Sequence, residues 1–119
     1  MRIFESNGKI NFIDEEDVFV GYDYTQDCCE VFGYRFATEP LECGEESTIN
    51  EDTFPLDGYL FDKNFFAECG DHDGGGSCSF RLRKDDSEIF LTLYNHHNGY
   101  YGHGFAMTHG ASTAYHGTL

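Results

Sequence analysis

The residues best suited to chemistry lie near the end of the chain, in the stretch YNHHNGYYGHGFAM at 94–107. Imidazole binds metals and transfers protons near neutral pH, and a tyrosine ring offers an apolar surface with a polar tip. Asn98-Gly99 divides the stretch. An Asn-Gly pair is the strongest short signal for a type I′ turn, which needs positive φ at both central residues. We therefore expect two antiparallel strands that reverse at Asn98-Gly99.

A two-residue turn fixes which side chains share a face. His96 is then opposite Tyr101, and Tyr94 is opposite His103, so these side chains are expected to form one aromatic patch with polar tips. His96 and His103 are diagonal neighbours, roughly 7 Å apart, which is close enough to share a ligand. The other face is expected to bury most of the core, with Ile89, Leu91 and Leu93 beside Gly102, Gly104 and Ala106.

Zinc is the first chemistry that these histidines suggest, because imidazole and thiolate are both zinc ligands. The candidate ligands are Cys28, Cys29, His96 and His103. Adjacent cysteines on a strand point to opposite faces, and the chain has no CxxC or HxxxH spacing. Histidines that are half-buried and hydrogen-bonded to tyrosines or backbone are the competing interpretation.

A cysteine nucleophile is a second candidate, with Cys28 or Cys29 activated by a histidine and oriented by Asp27 or Glu30. The acids around these thiols disfavour the reactive thiolate. The loop DHDGGG at 71–76 has paired acids, but the third oxygen ligand and distal glutamate of a calcium loop are missing at the required offsets. The sequence therefore contains no pattern that identifies a catalytic mechanism.

The elements that would position these residues are mostly strands. Apolar side chains alternate along 18–24, 28–36 and 79–83, and 88–94 is apolar on both faces, as in a central strand. The segments 38–58 and 69–78 are expected to be loops, 84–87 a tight turn, and 61–68 a short helix with Asp62 as its cap. We predict a single domain over 1–119, mainly β and sandwich-like, with about six or seven antiparallel strands and at most one short helix.

The charge of the chain limits its partners. Asp and Glu number 22 against 7 Lys and Arg, for a formal net charge of −15. Such a chain repels nucleic acid phosphates and attracts basic proteins, although a solvated acidic surface gives the same count. Acids without an intervening base crowd 39–62, a stretch that includes most of the predicted acidic loop. No signal peptide or membrane span is expected, so we predict a cytoplasmic protein with reduced cysteines.

Four segments also carry a family resemblance: GYDYTQDCCE (21–30), YLFDKNFF (59–66), FRLR (80–83) and YNHHNGYYGHGF (94–105). In this order they resemble a small domain family of bacteria and phages, of unknown function, with a QDCCE motif near the start and an NGYY-HGF motif near the end. The resemblance implies no established activity. It suggests that both motifs converge on one patch if 28–36 lies beside the hairpin. The resulting candidate binding patch comprises Tyr94, His96, Tyr101, His103, Asp27 and Glu30.

Three hypotheses about function follow from the sequence. The first is a non-enzymatic acidic protein, of the inhibitor, immunity or anti-defence type, which binds a basic protein. The second is a small metal- or thiol-dependent site built from the cysteines at 28 and 29 and the histidines at 96 and 103, with zinc as the metal. The third is a structural module without a ligand, in which His103 serves packing alone.

Overall fold

The computed structural model describes residues 1–25, 31–38, 48–50, 52–70, 76–96 and 102–119. The regular secondary structure of these ranges consists of ten strands, and none of it is helical. The strands are β1 (Arg2–Ser6), β2 (Lys9–Ile13), β3 (Val18–Asp23), β4 (Val31–Ala37), β5 (Thr48–Ile49), β6 (Leu60–Gly70), β7 (Gly76–Lys84), β8 (Ser87–His96), β9 (Gly104–His109) and β10 (Ser112–Thr118).

Two five-stranded sheets contain these strands. The first sheet has the order β1-β2-β3-β9-β10, and the second has the order β5-β4-β8-β7-β6. Every pairing between neighbouring strands is antiparallel. The prediction of a mainly β, antiparallel, sandwich-like architecture is confirmed. The expected number of strands is too low, because no strand was predicted at β1, β2, β5 or β10, and the segment of β6 was expected to be a helix.

The core lies between the two sheets. Phe12 of the first sheet and Phe36 of the second have ring centroids 6.0 Å apart in an edge-to-face contact. The hydroxyl of Tyr22 donates a hydrogen bond to the backbone oxygen of Tyr94 across the sheets, at 2.8 Å. Burial of large apolar side chains from both sheets is the main favourable contribution to such a fold.

The predicted pairing of the two strands on either side of Asn98-Gly99 is wrong. β8 is the central strand of the second sheet, where Tyr94 is opposite Gly33 of β4 and Ser77 of β7. β9 belongs to the first sheet, between β3 and β10. Both edges of β8 are therefore occupied, so the expected pair of Tyr94 with His103 does not form. The residues of the predicted turn, 97–101, lie outside the described residues.

The two faces of β8 agree with the sequence, whereas those of β9 do not. Ile89, Leu91 and Leu93 are fully buried in the core, as expected. On β9 the core side chains are Phe105 and Met107, and not Gly104 and Ala106. With β9 in the opposite sheet, its large side chains fill the space between the sheets, and its small residues face outward.

The segment 61–68 is also different from its prediction. It is part of β6, an edge strand with a register shift between Phe61 and Phe66. Asp62 does not cap a helix. Its carboxylate accepts a hydrogen bond from the backbone N–H of Asn64 at 2.9 Å within the irregular part of the strand. Phe66 stacks on Tyr115 of β10, with ring centroids 4.7 Å apart, so the strand conformation also buries its aromatic residues.

Of the predicted turns and loops, one turn is confirmed and two loops differ from their predictions. The tight turn after Lys84 is confirmed, and it places Asp85 at φ 53°. The expected loop 69–78 is shorter than predicted, because β6 and β7 continue to the pair of Gly70 with Gly76. The loop predicted over 38–58 contains the short strand β5, which pairs with the end of β4.

Candidate functional site

His103 lies in a packed position immediately before β9, with 1% of its surface exposed. Its backbone N–H donates to the oxygen of Leu119, and its backbone oxygen accepts from the N–H of Leu119, both at 2.9 Å. The imidazole stacks on Phe32 at 4.1 Å between ring centroids. Nδ1 lies 2.7 Å from the backbone oxygen of Asp23, and because a carbonyl oxygen only accepts, Nδ1 carries the proton. These contacts fit the hydrogen-bonded interpretation of this histidine.

The side chain of Tyr94 lies on the outer side of the second sheet, away from the core. The guanidinium of Arg35 lies 4.8 Å from the centre of its ring. The ring covers Gly33, where an added Cβ would come within 2.8 Å of the tyrosine hydroxyl oxygen. His103 stacks on the core side of β4, whereas Tyr94 lies on the outer side of β8. The structure therefore does not bring these two side chains together into one patch.

The remaining residues of the predicted patch and metal site cannot be placed with them. Asp27, Cys28, Cys29, Glu30 and Tyr101 lie outside the described residues. His96 ends β8 opposite Val31 of β4, and only its backbone belongs to the described part of the chain. Within that part, no three His, Cys, Asp or Glu side chains are grouped as metal ligands.

Burial also affects the pKa values of two ionisable groups near His103, namely Tyr22 and Asp23. Burial raises the pKa of Tyr22, which keeps its hydroxyl a hydrogen-bond donor to the backbone of Tyr94. Burial by itself raises the pKa of Asp23 as well. Hydrogen bonds from the hydroxyl and backbone N–H of Thr25, with His103 nearby, nevertheless bring the pKa of Asp23 below its usual value. Asp23 is therefore a carboxylate at neutral pH.

Cys78 is the one cysteine for which the structure describes the side chain, and it is buried in the core. Burial raises the pKa of its thiol, and the charge of Glu68 acts in the same direction. Only the thiolate is a good nucleophile or metal ligand. Cys78 is therefore a packing residue, which agrees with the expectation of reduced, buried thiols.

The exposed acids of the described chain are concentrated at one end of the sandwich. Two side-chain hydrogen bonds show how three separate turns meet there. Asp14, in the 14–17 turn, accepts from the backbone N–H of Phe61 at 2.8 Å, across the two sheets. Tyr59, which precedes β6, shares a hydrogen bond with Ser87 at the start of β8, at 2.7 Å between oxygens.

We call this surface the acidic end. Its members are exposed carboxylates on or beside the three turns: Glu15, Glu16, Asp17, Asp52, Asp57, Asp85, Asp86 and Glu88. Lys84 is a basic residue at this end, and its ammonium lies 5.9 Å from the centre of the Tyr59 ring. Arg2, opposite Ile13, and Arg83, opposite Glu88, are further basic residues at this end. The eight exposed carboxylates outnumber them, so a negative potential is expected over this surface.

Sequence reasoning placed the acids in one long loop and missed this arrangement. Asp52 and Asp57 belong to the segment that was predicted to be acidic, but the 14–17 and 85–86 turns are distant from it in sequence. Short acidic turns are common on protein surfaces. Only the pairing order of the strands brings these turns to the same end.

A groove with a volume of about 710 Å³ lies on the outer face of the first sheet. Small residues on neighbouring strands form its floor, including Gly21 and Ala106, which are opposite each other. Phe4 and Phe19 line it as aromatic side chains. No sequence pattern indicates this groove, because its floor depends on β3 and β9 being neighbours.

Comparison with protein-family models, with curated proteins and with solved structures gave no match. The resemblance to a bacterial and phage domain family therefore stays a prediction. Within the described residues, no helix has the length and apolar character needed to cross a membrane. The candidate site rests on the geometry of the chain alone.

Proposed function

We propose that this protein is a non-enzymatic binding protein, of the inhibitor, immunity or anti-defence type, which recognises a basic protein through its acidic end. The observation that carries the proposal is the convergence of three acidic turns on one surface. Two buried or partly buried hydrogen bonds, from Phe61 to Asp14 and between Tyr59 and Ser87, support that convergence.

The clustered carboxylates of the acidic end can attract a basic partner through their combined electrostatic potential. Charges that lie within about 10 Å of one another reinforce their potential at moderate salt, and a potential of one sign steers an oppositely charged partner during association. The formal net charge of −15 adds long-range attraction to any basic protein. The same charge repels nucleic acid, so we propose a protein partner.

Affinity capture tests this function with matched charge reversals. Immobilised protein is exposed to a bacterial lysate at low salt, and the retained proteins are identified and eluted with a salt gradient. We expect a basic protein whose binding weakens about tenfold in Glu16→Lys and in Asp86→Lys, because each places a like charge against the partner. Glu68→Lys is the control, since Glu68 is opposite Cys78, away from the acidic end, and the change in net charge is the same.

Two results would count against the proposal. One is capture of no basic protein at low salt. The other is equal weakening in Glu68→Lys, which would show that net charge alone, without the acidic end, determines binding.

The alternative of a zinc or thiol site built from Cys28, Cys29, His96 and His103 stays a prediction. Elemental analysis of protein purified without a histidine tag is its test. Zinc at one equivalent would favour the alternative, and its absence would leave the acidic binding protein as the proposal.

A further inference from the structure

The four outer strands of the two sheets differ in how open they are to another strand. An outer strand carries unpaired backbone N–H and C=O groups, and proteins usually shield such an edge by making it short, bulged or covered. β5 has two residues. β6 has a register shift between Phe61 and Phe66. β10 has one between Thr113 and Tyr115, and Tyr115 is covered by Phe66.

Within the described residues, β1 is not shortened to two residues, bulged or covered by another segment, and its charged side chains are Arg2 and Glu5. All five of its residues pair with β2 in an unbroken register, from Arg2 with Ile13 to Ser6 with Lys9. Phe4 lies in the middle of the strand with 38% of its surface exposed, and it is the exposed large hydrophobic residue of the described chain. A hollow of about 310 Å³ lies beside it, with Arg2, Ile3 and Phe4 as its lining.

The turn before β2 determines which backbone groups of β1 point outward. Asn7 and Gly8 have φ of 55° and 76°, as in a type I′ turn. In such a hairpin the residues that flank the turn form a hydrogen-bonded pair, and the bonded pairs then alternate. Ser6, Phe4 and Arg2 therefore bond to β2, whereas the N–H and C=O of Ile3 and Glu5 point away from the sheet.

We propose that β1 is a strand-addition site, at which an extended segment of the basic partner pairs with Ile3 and Glu5 and extends the first sheet. This inference rests on the proposed function, because it names the mode in which that partner binds. The main-chain hydrogen bonds supply affinity, and the side chains that alternate along the added strand supply specificity. In the added strand of the partner, the residue opposite Phe4 is expected to be apolar and the residue opposite Glu5 to be basic.

Charge selects the basic segment over a second copy of this chain. Arg2 is opposite Ile13, so this end of β1 lies beside the 14–17 turn, where three exposed carboxylates outnumber the positive charges of Arg2 and the N-terminal ammonium. A basic segment that follows β1 would continue onto those carboxylates. Two copies joined through β1 would instead bring together two chains with a formal net charge of −15 each, which repel each other.

Amide hydrogen exchange measured by NMR tests this site, with a synthetic peptide of alternating lysine and valine as the probe. We expect the peptide to slow exchange at the amides of Ile3 and Glu5. Glu5→Pro removes an outward N–H and leaves the β1–β2 bonds in place, so it should weaken peptide binding about tenfold. Glu5→Gln separates charge from backbone pairing, and Thr113→Pro on the opposite edge of the sheet should bind like the natural chain.

The outcomes distinguish the site from the function. Peptide binding without slower exchange at Ile3 and Glu5, or equal binding to Glu5→Pro, would overturn strand addition and leave the acidic end as the binding surface. If the peptide does not bind, the proposal that β1 receives a basic segment is wrong. The proposed function is tested separately by the capture experiment with the lysate. If exchange at Ile3 and Glu5 becomes slower as the protein concentration increases, without any peptide, the edge pairs with a second copy of this chain, which would contradict the proposal. Phe4→Ala, at an exposed side chain, provides a second variant if Glu5→Pro does not fold.

Discussion

Asp14 provides the strongest test of how the two sheets are joined at the acidic end. It is 5% exposed, and its carboxylate accepts from the backbone N–H groups of Glu16 at 2.9 Å, Val18 at 3.0 Å and Phe61 at 2.8 Å. The first two bonds close the 14–17 turn within the first sheet. The third reaches the start of β6 in the second sheet.

The magnitudes follow from these bonds. Asp14→Ala leaves three backbone donors without the carboxylate, and hydrogen bonds to a charged group contribute about 1.5–3 kcal/mol each, not additively. We expect the free energy of unfolding to fall by about 3–5 kcal/mol. Asp14→Asn keeps one oxygen, which can serve the Glu16 and Val18 donors, but its amide faces the Phe61 N–H. Its expected loss is about 1–3 kcal/mol.

Urea unfolding followed by circular dichroism measures both variants. Asp17→Asn is the matched control, because this exposed neighbour has φ of 63°, which asparagine tolerates, and it should change stability by less than about 0.5 kcal/mol. A loss below about 1 kcal/mol in Asp14→Ala would refute the reasoning. Equal losses in Asp14→Asn and Asp14→Ala would show that the bond to Phe61 alone carries the effect.

Three further predictions follow from other buried or paired groups. His103→Ala should lower the free energy of unfolding by about 1–3 kcal/mol, and His103→Phe by less, because phenylalanine keeps the stacking on Phe32; equal losses in urea unfolding would argue against that contact. Arg81 holds the pKa of Asp62 below its usual value through a hydrogen bond and ion pair. The folded state therefore binds fewer protons there, and the stabilisation is present above the unfolded pKa of about 3.9 and lost as the pH falls through the folded pKa. Arg81→Met should flatten the loss of stability below pH about 5, and Arg83→Met should flatten it less, because Arg83 acts on Asp62 through its charge without the hydrogen bond; identical profiles for the two variants would contradict this. Cys78 should resist iodoacetamide in the folded protein at pH about 8 and react after unfolding, as measured by mass spectrometry, since burial disfavours its thiolate.

Local sequence predicts the strands that have clear apolar alternation, such as β3, β7 and β8, but neither the remaining strands nor the partners of each strand. The alternation in β8 correctly indicated a central strand with Ile89, Leu91 and Leu93 in the core. The Asn-Gly rule also holds, but at Asn7-Gly8, where the turn joins β1 and β2. At Asn98-Gly99 the same dipeptide suggested a hairpin, although β8 is already paired on both edges.

The error in pairing also reversed the faces of β9. In a shared hairpin, Gly104 would face the same side as Leu93. With β9 placed in the other sheet, Phe105 and Met107 fill the core instead. The acidic end and the groove depend on the order of strands in the two sheets, and that order is set by packing between residues far apart in sequence.

Relaxation enhancement by the paramagnetic cation hexaamminechromium(III), with a neutral gadolinium chelate as reference, tests the central claim that distant turns form one acidic surface. This cation approaches negative potential without exchanging its ligands. We expect the largest cation-specific enhancement together at the amides of 15–17, 52–57 and 85–88. An even distribution along the chain, or a maximum around Asp23 and His103, would contradict it.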